Sequence, residues 1–134
     1  MARSTVLLRG DETGGRAAVA ENRLPARSPG PRLHHHAFAE LFYVLEGEIM
    51  VKLGDELRTL RAGDHAVAPG GVPHTLANLS DAPARYLLVL SPAGFERHLA
   101  RRAAEAEGRE PPEWALAPPP PVTYVGPPIG DEGT

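Results

Sequence analysis

The sequence predicts an all-β fold, an antiparallel sandwich or barrel, followed by one α-helix and a proline-rich tail. Up to about residue 90 the chain consists of short apolar runs of strand length, separated by Gly, Pro, Asp and Asn. No helical periodicity lies between these runs, and many short strands at close spacing are typical of sandwiches and barrels. A helical pattern begins near residue 92, and four consecutive prolines follow at 118–121.

Nine apolar runs are the predicted strands of this sheet structure. They cover residues 5–8, 17–23, 33–36, 41–45, 48–53, 57–60, 65–68, 75–78 and 86–90. The residues between them are turn formers, and the segments 46–47 and 54–56 fit hairpin turns because they contain Gly beside acidic residues. This spacing predicts strands that are joined mostly by short loops.

A single amphipathic helix is predicted over residues 92–107, because apolar side chains recur at helical spacing from Phe95 to Ala103. Ser91 is the predicted N-cap, and a proline follows it at the first helical position. Gly108 is the predicted stop signal, since glycine is favoured just beyond the end of a helix.

The tail favours an extended conformation, because residues 118–121 are all proline. Two alternatives are open for it. It either trails from the barrel as a mobile segment, or lies across the barrel surface, anchored by Trp114, Tyr124 and Ile129. The sequence does not distinguish these two alternatives.

Length and composition indicate one domain. The chain has 134 residues, with 42% hydrophobic and 23% charged residues, which is ordinary for a globular protein with a sizeable core. We divide it into a barrel over residues 1–91, a helix over residues 92–108 and the tail over residues 109–134.

Charge and residue counts argue against several functions. The formal charge of −3 provides no basic field that would attract nucleic acid or an anionic membrane. The chain has no cysteine, which excludes disulfides and thiolate metal sites. The first 12 residues contain no apolar segment long enough for a signal peptide or a membrane span, so we expect a cytoplasmic protein.

The first chemically informative stretch contains three consecutive histidines, residues 34–36. Alternate residues of a strand share a face, so His34 and His36 can point to one site, while His35 points to the other side. Glu40 begins the next apolar run and can add a carboxylate. Imidazole and carboxylate ligands suit Fe, Mn, Ni, Cu and Zn. Taken alone, the stretch fits either a metal site or a solvated histidine run.

A second stretch, residues 63–78, reads GDHAVAPGGVPHTLAN and offers a further ligand. A turn, a short strand and a tight Pro/Gly loop deliver His74 to the start of another strand. The characteristically spaced residues of this stretch are Gly63, Pro69, Gly71, His74 and Asn78.

With both stretches in place, the chain resembles the cupin family, in particular small bacterial cupins of the quercetin dioxygenase-like type. The first cupin motif is matched by His34, His36, Glu40 and Gly47, and the second by residues 63–78. In the family pattern a glycine opens the first motif.

That opening glycine would fall at Ser28 in this chain, which has Gly30 instead. Because this glycine is a turn residue and not a ligand, we expect a local difference in the loop and no effect on the metal site.

The resemblance implies a double-stranded β-helix, the small jelly-roll barrel, with the two motifs in adjacent hairpins. It also implies that His34, His36, Glu40 and His74 converge in the barrel mouth and bind one divalent metal ion. Three imidazoles and one carboxylate leave open positions for water, dioxygen or a bidentate substrate.

Strand alternation predicts further residues inside the barrel. If Glu40 points inward, Phe42 and Val44 do so as well, while Leu76 and Asn78 share the face of the second-motif histidine. We predict that these four line a substrate pocket, with simple core packing as the alternative.

The same alternation turns Leu41, Tyr43 and Leu45 outward and creates an apolar outer face. Such a face needs cover from other parts of the chain or from a second subunit. Small cupins are commonly dimers, so the resemblance implies a homodimer.

For the function, the resemblance implies a metal-dependent, dioxygenase-like enzyme acting on a small aromatic, polyketide-like or diketone-like molecule, with Glu40 doubling as a base. Two alternatives are open. One is a metal-dependent isomerase or polyketide cyclase, in which the metal acts as a Lewis acid. The other is a non-catalytic module that binds a small molecule. A DNA-binding regulator is not expected, because the chain has neither a second helix pair nor a basic patch.

Overall fold

A computed structural model shows two five-stranded antiparallel sheets, and it describes residues 2–131. The strands are β1 (Arg3–Leu8), β2 (Ala18–Leu24), β3 (His34–His35), β4 (Ala39–Glu46), β5 (Glu48–Leu53), β6 (Glu56–Arg61), β7 (His65–Ala68), β8 (His74–Ala77), β9 (Ala84–Ser91) and β10 (Thr123–Tyr124). One α-helix, α1, covers Glu96–Ala106, and single 3-10 turns lie at Gly10–Glu12, Glu113–Ala115 and Ile129–Asp131. No helix in this part of the chain is long and apolar enough to cross a membrane.

The strands form two sheets whose inner faces share one core. The first sheet has the order β1-β2-β9-β4-β7, and the second has the order β10-β3-β8-β5-β6. Phe42, Val44 and Leu90 of the first sheet belong to the same buried cluster as Ile49 and Val51 of the second. The predicted all-β jelly-roll sandwich with a helix after the last barrel strand is thereby confirmed.

Each of the nine predicted strands corresponds to an observed strand, but the third is shorter than predicted. Strand β3 contains only His34 and His35, and His36 lies beyond its end. The carbonyl of His36 accepts a hydrogen bond from the backbone N–H of Gly71 in the Pro/Gly loop (2.8 Å). The chain therefore leaves the ladder at His36 and turns across the barrel end.

The predicted start of the helix is wrong by four residues. Ser91 ends β9, and its hydroxyl donates to the carbonyl of Arg16 (2.8 Å) instead of capping a helix. Helix α1 begins at Glu96, whose buried carboxylate accepts the backbone N–H groups of Gly94 (2.6 Å) and Gly10 (2.8 Å). The predicted end of the helix is confirmed, because Gly108 follows the C-cap residue and has φ of 67°.

The tail is attached to the helix by arginine side chains. The guanidinium of Arg101 donates to the carbonyls of Ala115 (2.7 Å) and Leu116, and that of Arg97 donates to the carbonyl of Pro118 (3.2 Å). Arg101 also donates to the carbonyl of Ala117 (3.3 Å), so the carbonyls of residues 115–118 are all paired, which offsets part of the entropy lost on ordering this segment.

The three predicted anchors of the tail differ in their surroundings. Ile129 is buried, and the ring of Trp114 lies 5.5 Å from the guanidinium of Arg9. Tyr124 remains 54% exposed although its backbone pairs with β3. The tail therefore lies on the barrel, and Tyr124 is the one anchor that leaves most of its side chain open to solvent.

The loop before β3 differs from the family pattern as expected. Ser28 does not form a turn but makes a two-way backbone bridge with Asn78 (2.7 and 2.9 Å). Gly30 has φ of 78°, and a Cβ atom there would lie 1.7 Å from the carbonyl oxygen of Leu76. Only glycine fits this position, because it combines a left-handed backbone with a close approach to β8.

Candidate metal centre

Two sheets bring His34, His36, Glu40 and His74 together at one end of the barrel. His34 in β3 pairs directly with His74 at the start of β8, and Glu40 in β4 faces them from the opposite sheet. One potential ligand atom of each of the four residues lies within 4.8 Å of the others. His36, Glu40 and His74 are buried and His34 is partly exposed, so solvent reaches the cluster from the His34 side.

All three imidazoles use Nδ1 in the same way. Each Nδ1 lies at hydrogen-bond distance from a backbone carbonyl two residues away along the chain. Because a carbonyl only accepts, these bonds place the proton of a neutral imidazole on Nδ1 and leave the lone pair on Nε2. The pairs are His34 with Arg32 (2.6 Å), His36 with Phe38 (2.8 Å) and His74 with Val72 (2.9 Å).

The Nε2 atoms of two imidazoles point toward the Glu40 carboxylate. The distance from Glu40 Oε1 to Nε2 is 2.7 Å for His36 and 3.6 Å for His74. The longer distance is not a hydrogen bond, so the buried Nε2 of His74 has no partner among residues 2–131. At the shorter distance, a lone pair and a carboxylate oxygen need a proton or a metal cation between them.

Burial and the short distances between the ligand atoms set the protonation states in the cluster. Burial tends to raise the pKa of Glu40, but the hydrogen bond from His36, which requires a proton on Nε2, and the adjacent His74 imidazole outweigh it and lower the pKa to about 2. Burial lowers the pKa of His34. Burial also acts to lower the pKa of His74, yet the Glu40 carboxylate raises it overall. Near neutral pH Glu40 is therefore an anion and His34 is neutral, the forms that ligate metals, whereas a cation at His74 competes with a proton.

The donor set fits a divalent transition metal. Three neutral imidazole nitrogens and one carboxylate oxygen match the ligand preferences of iron, manganese, nickel, copper and zinc. The backbone carbonyls that accept the Nδ1–H groups orient the rings, as hydrogen-bond partners of ligating histidines commonly do in metal sites. The buried, partnerless Nε2 of His74 is otherwise an unfavourable feature, because a buried polar atom costs free energy when it is left unpaired.

Glu40 is predicted both as a metal ligand and as a base. Its Oε1 lies close to the Nε2 atoms of both His36 and His74, which suits a ligand shared by the cluster. Its lowered pKa disfavours proton uptake near neutral pH before a cation binds, and its role as a base stays a prediction.

Two of the predicted pocket residues follow Glu40 along β4. Phe42 is buried, and its ring centroid lies 6.3 Å from that of His74, so it forms the wall directly beside the cluster. Val44 lies one inward position further, directly opposite Tyr86 of β9, and is fully buried. Leu76 follows the second-motif histidine on β8 and is 7% exposed.

Asn78, the fourth predicted pocket residue, has a different role. Its Nδ2 donates to the carbonyls of Ala82 (2.8 Å), Pro25 (3.1 Å) and Leu24 (3.4 Å). Its Oδ1 accepts from the backbone N–H (3.1 Å) and the hydroxyl (2.7 Å) of Ser80. The amide thus has no free hydrogen-bonding capacity for a ligand, because it connects two loops of the barrel. Strand alternation alone did not predict these bonds.

Aromatic side chains around the histidines were not predicted as part of the site. Phe38 stacks on His36 with a centroid distance of 3.5 Å, and Phe95 packs on Phe38 at 5.2 Å. Tyr124 of the tail lies 6.0 Å from His34. A local signal existed for Phe38, which lies two residues beyond His36. None existed for Tyr124, because its contact spans about 90 residues of chain.

The fold and the cluster define a small β-sandwich protein with a three-histidine, one-carboxylate centre. Comparison with known families is consistent with this class, because residues 23–90 match the Cupin_2 family model, described as a cupin domain. The match covers half of the chain, and the chain therefore belongs to the cupin family.

Several proteins resemble this chain. The polyketide synthase CurC of Streptomyces cyaneus is 36% identical over 81 residues, which cover 58% of this chain and 53% of CurC. A crystal structure of TT1209 from Thermus thermophilus is 34% identical with a TM-score of 0.55, covering 58% of this chain and 74% of that one. The polyketide cyclase RemF from Streptomyces resistomycificus is 19% identical with a TM-score of 0.64, covering 92% of this chain and 70% of RemF, and this likeness concerns the fold alone. The chain spans about half the length of the curated relatives it matches.

Proposed function

We propose that this protein is a divalent-metal-dependent enzyme that acts on a polyketide-like or diketone-like substrate without consuming oxygen. The observation that carries the proposal is the cluster itself, in which the buried, partnerless Nε2 of His74 faces Glu40 Oε1 and two further imidazoles. The similarity to the polyketide synthase CurC over 81 residues supports the class of substrate.

In this proposal each side chain of the centre has one task. His34, His36, His74 and Glu40 hold the ion, and the Nδ1 bonds to backbone carbonyls keep the three rings in place. The bound ion would supply Lewis-acid stabilisation of the negative charge that develops on a carbonyl oxygen when an enolate forms.

The surrounding residues give the site an apolar wall and one open side. Glu40 lies between Ala68 and Leu90 on the neighbouring strands, and Phe42 lies between Ala66 and Leu88. These buried apolar side chains exclude water from the inner side of the centre, which strengthens electrostatic interactions there. The partly exposed His34 marks the side from which a substrate enters.

Oxygen consumption separates the proposed chemistry from a dioxygenase. Protein reconstituted with Fe(II), Mn(II) or Ni(II) is incubated with flavonols, 1,3-diketones and catechols, while an oxygen electrode and mass spectrometry record uptake and products. We expect conversion of a diketone or polyketide-like compound without oxygen uptake, because a Lewis acid needs no oxidant.

Each other outcome of this experiment points to a different function. Oxygen uptake in proportion to product would contradict the proposal and support the dioxygenase-like alternative. Binding of ligands without conversion would support a non-catalytic module. The His35→Ala variant is the matched control and should behave as the wild type, because His35 is not a member of the cluster.

We also infer that the protein forms a homodimer through the outer face of its first sheet. Leu41 of β4 lies directly between Val67 of β7 and Val89 of β9, and Tyr43 lies in the next outward position. Val67 and Tyr43 are 45% and 39% exposed, so the row forms an apolar surface on an isolated chain. A second copy would bury the same row on both subunits.

Replacing Val67 by Glu should convert the dimer into a monomer, because the charge would be buried without a partner in the interface. Sedimentation equilibrium measures the mass of the wild type and the variant. Leu57→Glu is the control, because Leu57 is similarly exposed but lies on the second sheet. A wild type that is monomeric at micromolar concentration would refute the dimer.

A further inference from the structure

The tail places Tyr124 in register with the metal centre. Tyr124 of β10 pairs directly with His34 of β3, which in turn pairs directly with His74 of β8. Directly opposed residues of antiparallel strands project to the same face of a sheet. Tyr124 therefore shares the inner face with two residues of the cluster, one strand further out, and its ring centroid lies 6.0 Å from that of His34.

The position of Tyr124 is defined by backbone bonds on its C-terminal side as well. The N–H of Val125 donates to the carbonyl of Leu33 (2.8 Å), and the N–H of Leu33 donates to the carbonyl of Pro127 (3.3 Å). On its N-terminal side, Arg97 and Arg101 hold the preceding part of the tail on α1. The exposed ring is thus a fixed surface at the open side of the centre.

Arg32 adds a positive charge to this edge. Its guanidinium lies 5.2 Å from the centroid of the Tyr124 ring, within the range of a cation–π contact. Its backbone carbonyl accepts the Nδ1–H of His34, so the residue is tied to the centre through its main chain. Its side chain has no ion pair with a carboxylate of residues 2–131.

We propose that Tyr124 and Arg32 form a recognition edge that binds the planar, anionic part of the substrate lying outside the metal shell. This inference rests on the proposed function. The Tyr124 ring offers a flat apolar contact to a conjugated or aromatic group, and Arg32 attracts a carboxylate or enolate attached to it. Neither side chain ligates the metal, and both select the substrate by contacting it directly.

Three probe ligands distinguish the contribution of the Tyr124 ring from that of the Arg32 guanidinium. Acetylacetone offers only the two oxygens that a metal chelates, benzoylacetone adds a phenyl ring, and benzoylpyruvate adds both a ring and a carboxylate. Their dissociation constants are measured with the Co(II)-loaded protein by calorimetry and by the visible absorption of the cobalt. The metal content of every sample is determined at the same time.

We expect a distinct pattern for each variant. Tyr124→Ala should raise the dissociation constants of benzoylacetone and benzoylpyruvate by about fivefold to tenfold, because an aromatic contact is lost. Arg32→Gln should raise the dissociation constant of benzoylpyruvate alone, by about fivefold. Only this probe carries a full negative charge beyond the chelating oxygens. Acetylacetone should bind equally well to the wild type and both variants. Val125→Ala is the control from the neighbouring position of the tail.

The outcomes also separate this inference from the proposed function. Unchanged binding of all three probes in both variants would refute the recognition edge and leave the metal-dependent function intact. Equal weakening of all three would show that the variants act through His34, and would refute the edge as well. If the cobalt-loaded wild type binds no acetylacetone, the proposed function fails, and the recognition edge fails with it.

Discussion

Replacing His74 by Ala is expected to abolish stoichiometric metal binding, with a loss of affinity of about 100-fold or more. Outer-shell changes alone cost about 10- to 100-fold in metal affinity, and loss of a direct ligand exceeds this. His74 is the residue of choice because its buried Nε2 has no other partner in the described part of the chain. Metal content after reconstitution and titration of Co(II) measure the effect, with one ion per wild-type chain.

The neighbouring histidine of the first stretch provides a matched control for this experiment. His35→Ala removes an imidazole between His34 and His36, yet His35 points away from the cluster and pairs with Thr123 of β10. It should retain one ion per chain. Circular dichroism shows whether the His74 variant is folded, and His36→Ala gives an independent loss of a ligand. A wild type that takes up no divalent ion, or a His74 variant that retains full affinity, would refute the metal centre.

The second large effect is expected for Asn78→Ala, which should lower the free energy of unfolding by about 3 kcal/mol. The substitution removes five hydrogen bonds of a fully buried amide, three to the carbonyls of the buried Leu24, the partly buried Pro25 and the exposed Ala82 and two from Ser80, and each net hydrogen bond is worth about 0.5–1.5 kcal/mol. Urea denaturation of the metal-free protein measures the change. Ser80→Ala removes the hydroxyl bond to Asn78 and should cost about 1 kcal/mol.

The same variant distinguishes the structural role of Asn78 from the predicted role in a pocket. If Asn78 only connects loops, the folded variant should bind Co(II) and acetylacetone with the affinity of the wild type. A variant of unchanged stability that binds acetylacetone more weakly would instead support the pocket role that strand alternation predicted.

Much of the barrel could be predicted because its information is local. The short apolar run 41–45, which ends at the turn residues 46–47, predicts a strand, and the alternation of side chains along a strand places Phe42 and Val44 on the face opposite Tyr43. Burial of Phe42 and Val44 and exposure of Tyr43 agree with that pattern. The spacing of the histidines and Glu40 is likewise a local property, read together with the resemblance of the two motifs to cupins.

The errors lie where a long-range contact competes with a local signal. Ser91 and the following proline look like the start of a helix. However, Ser91 continues β9 and donates to Arg16, and the Glu96 carboxylate accepts N–H groups of Gly94 and Gly10. These partners are up to 86 residues apart in the chain, so no local sequence pattern predicts them.

By itself the sequence determined the class of fold and the inward faces of the strands, since periodicity depends only on neighbouring positions, and the resemblance of its two motifs to cupins indicated the four residues of the candidate metal centre. Only the tertiary structure decided that the Asn78 amide makes all its hydrogen bonds to loop residues and that Tyr124 reaches the open side of the centre. The physical reason is that a hydrogen-bond partner or a cross-strand neighbour is chosen by how distant segments meet, and that choice belongs to the whole fold.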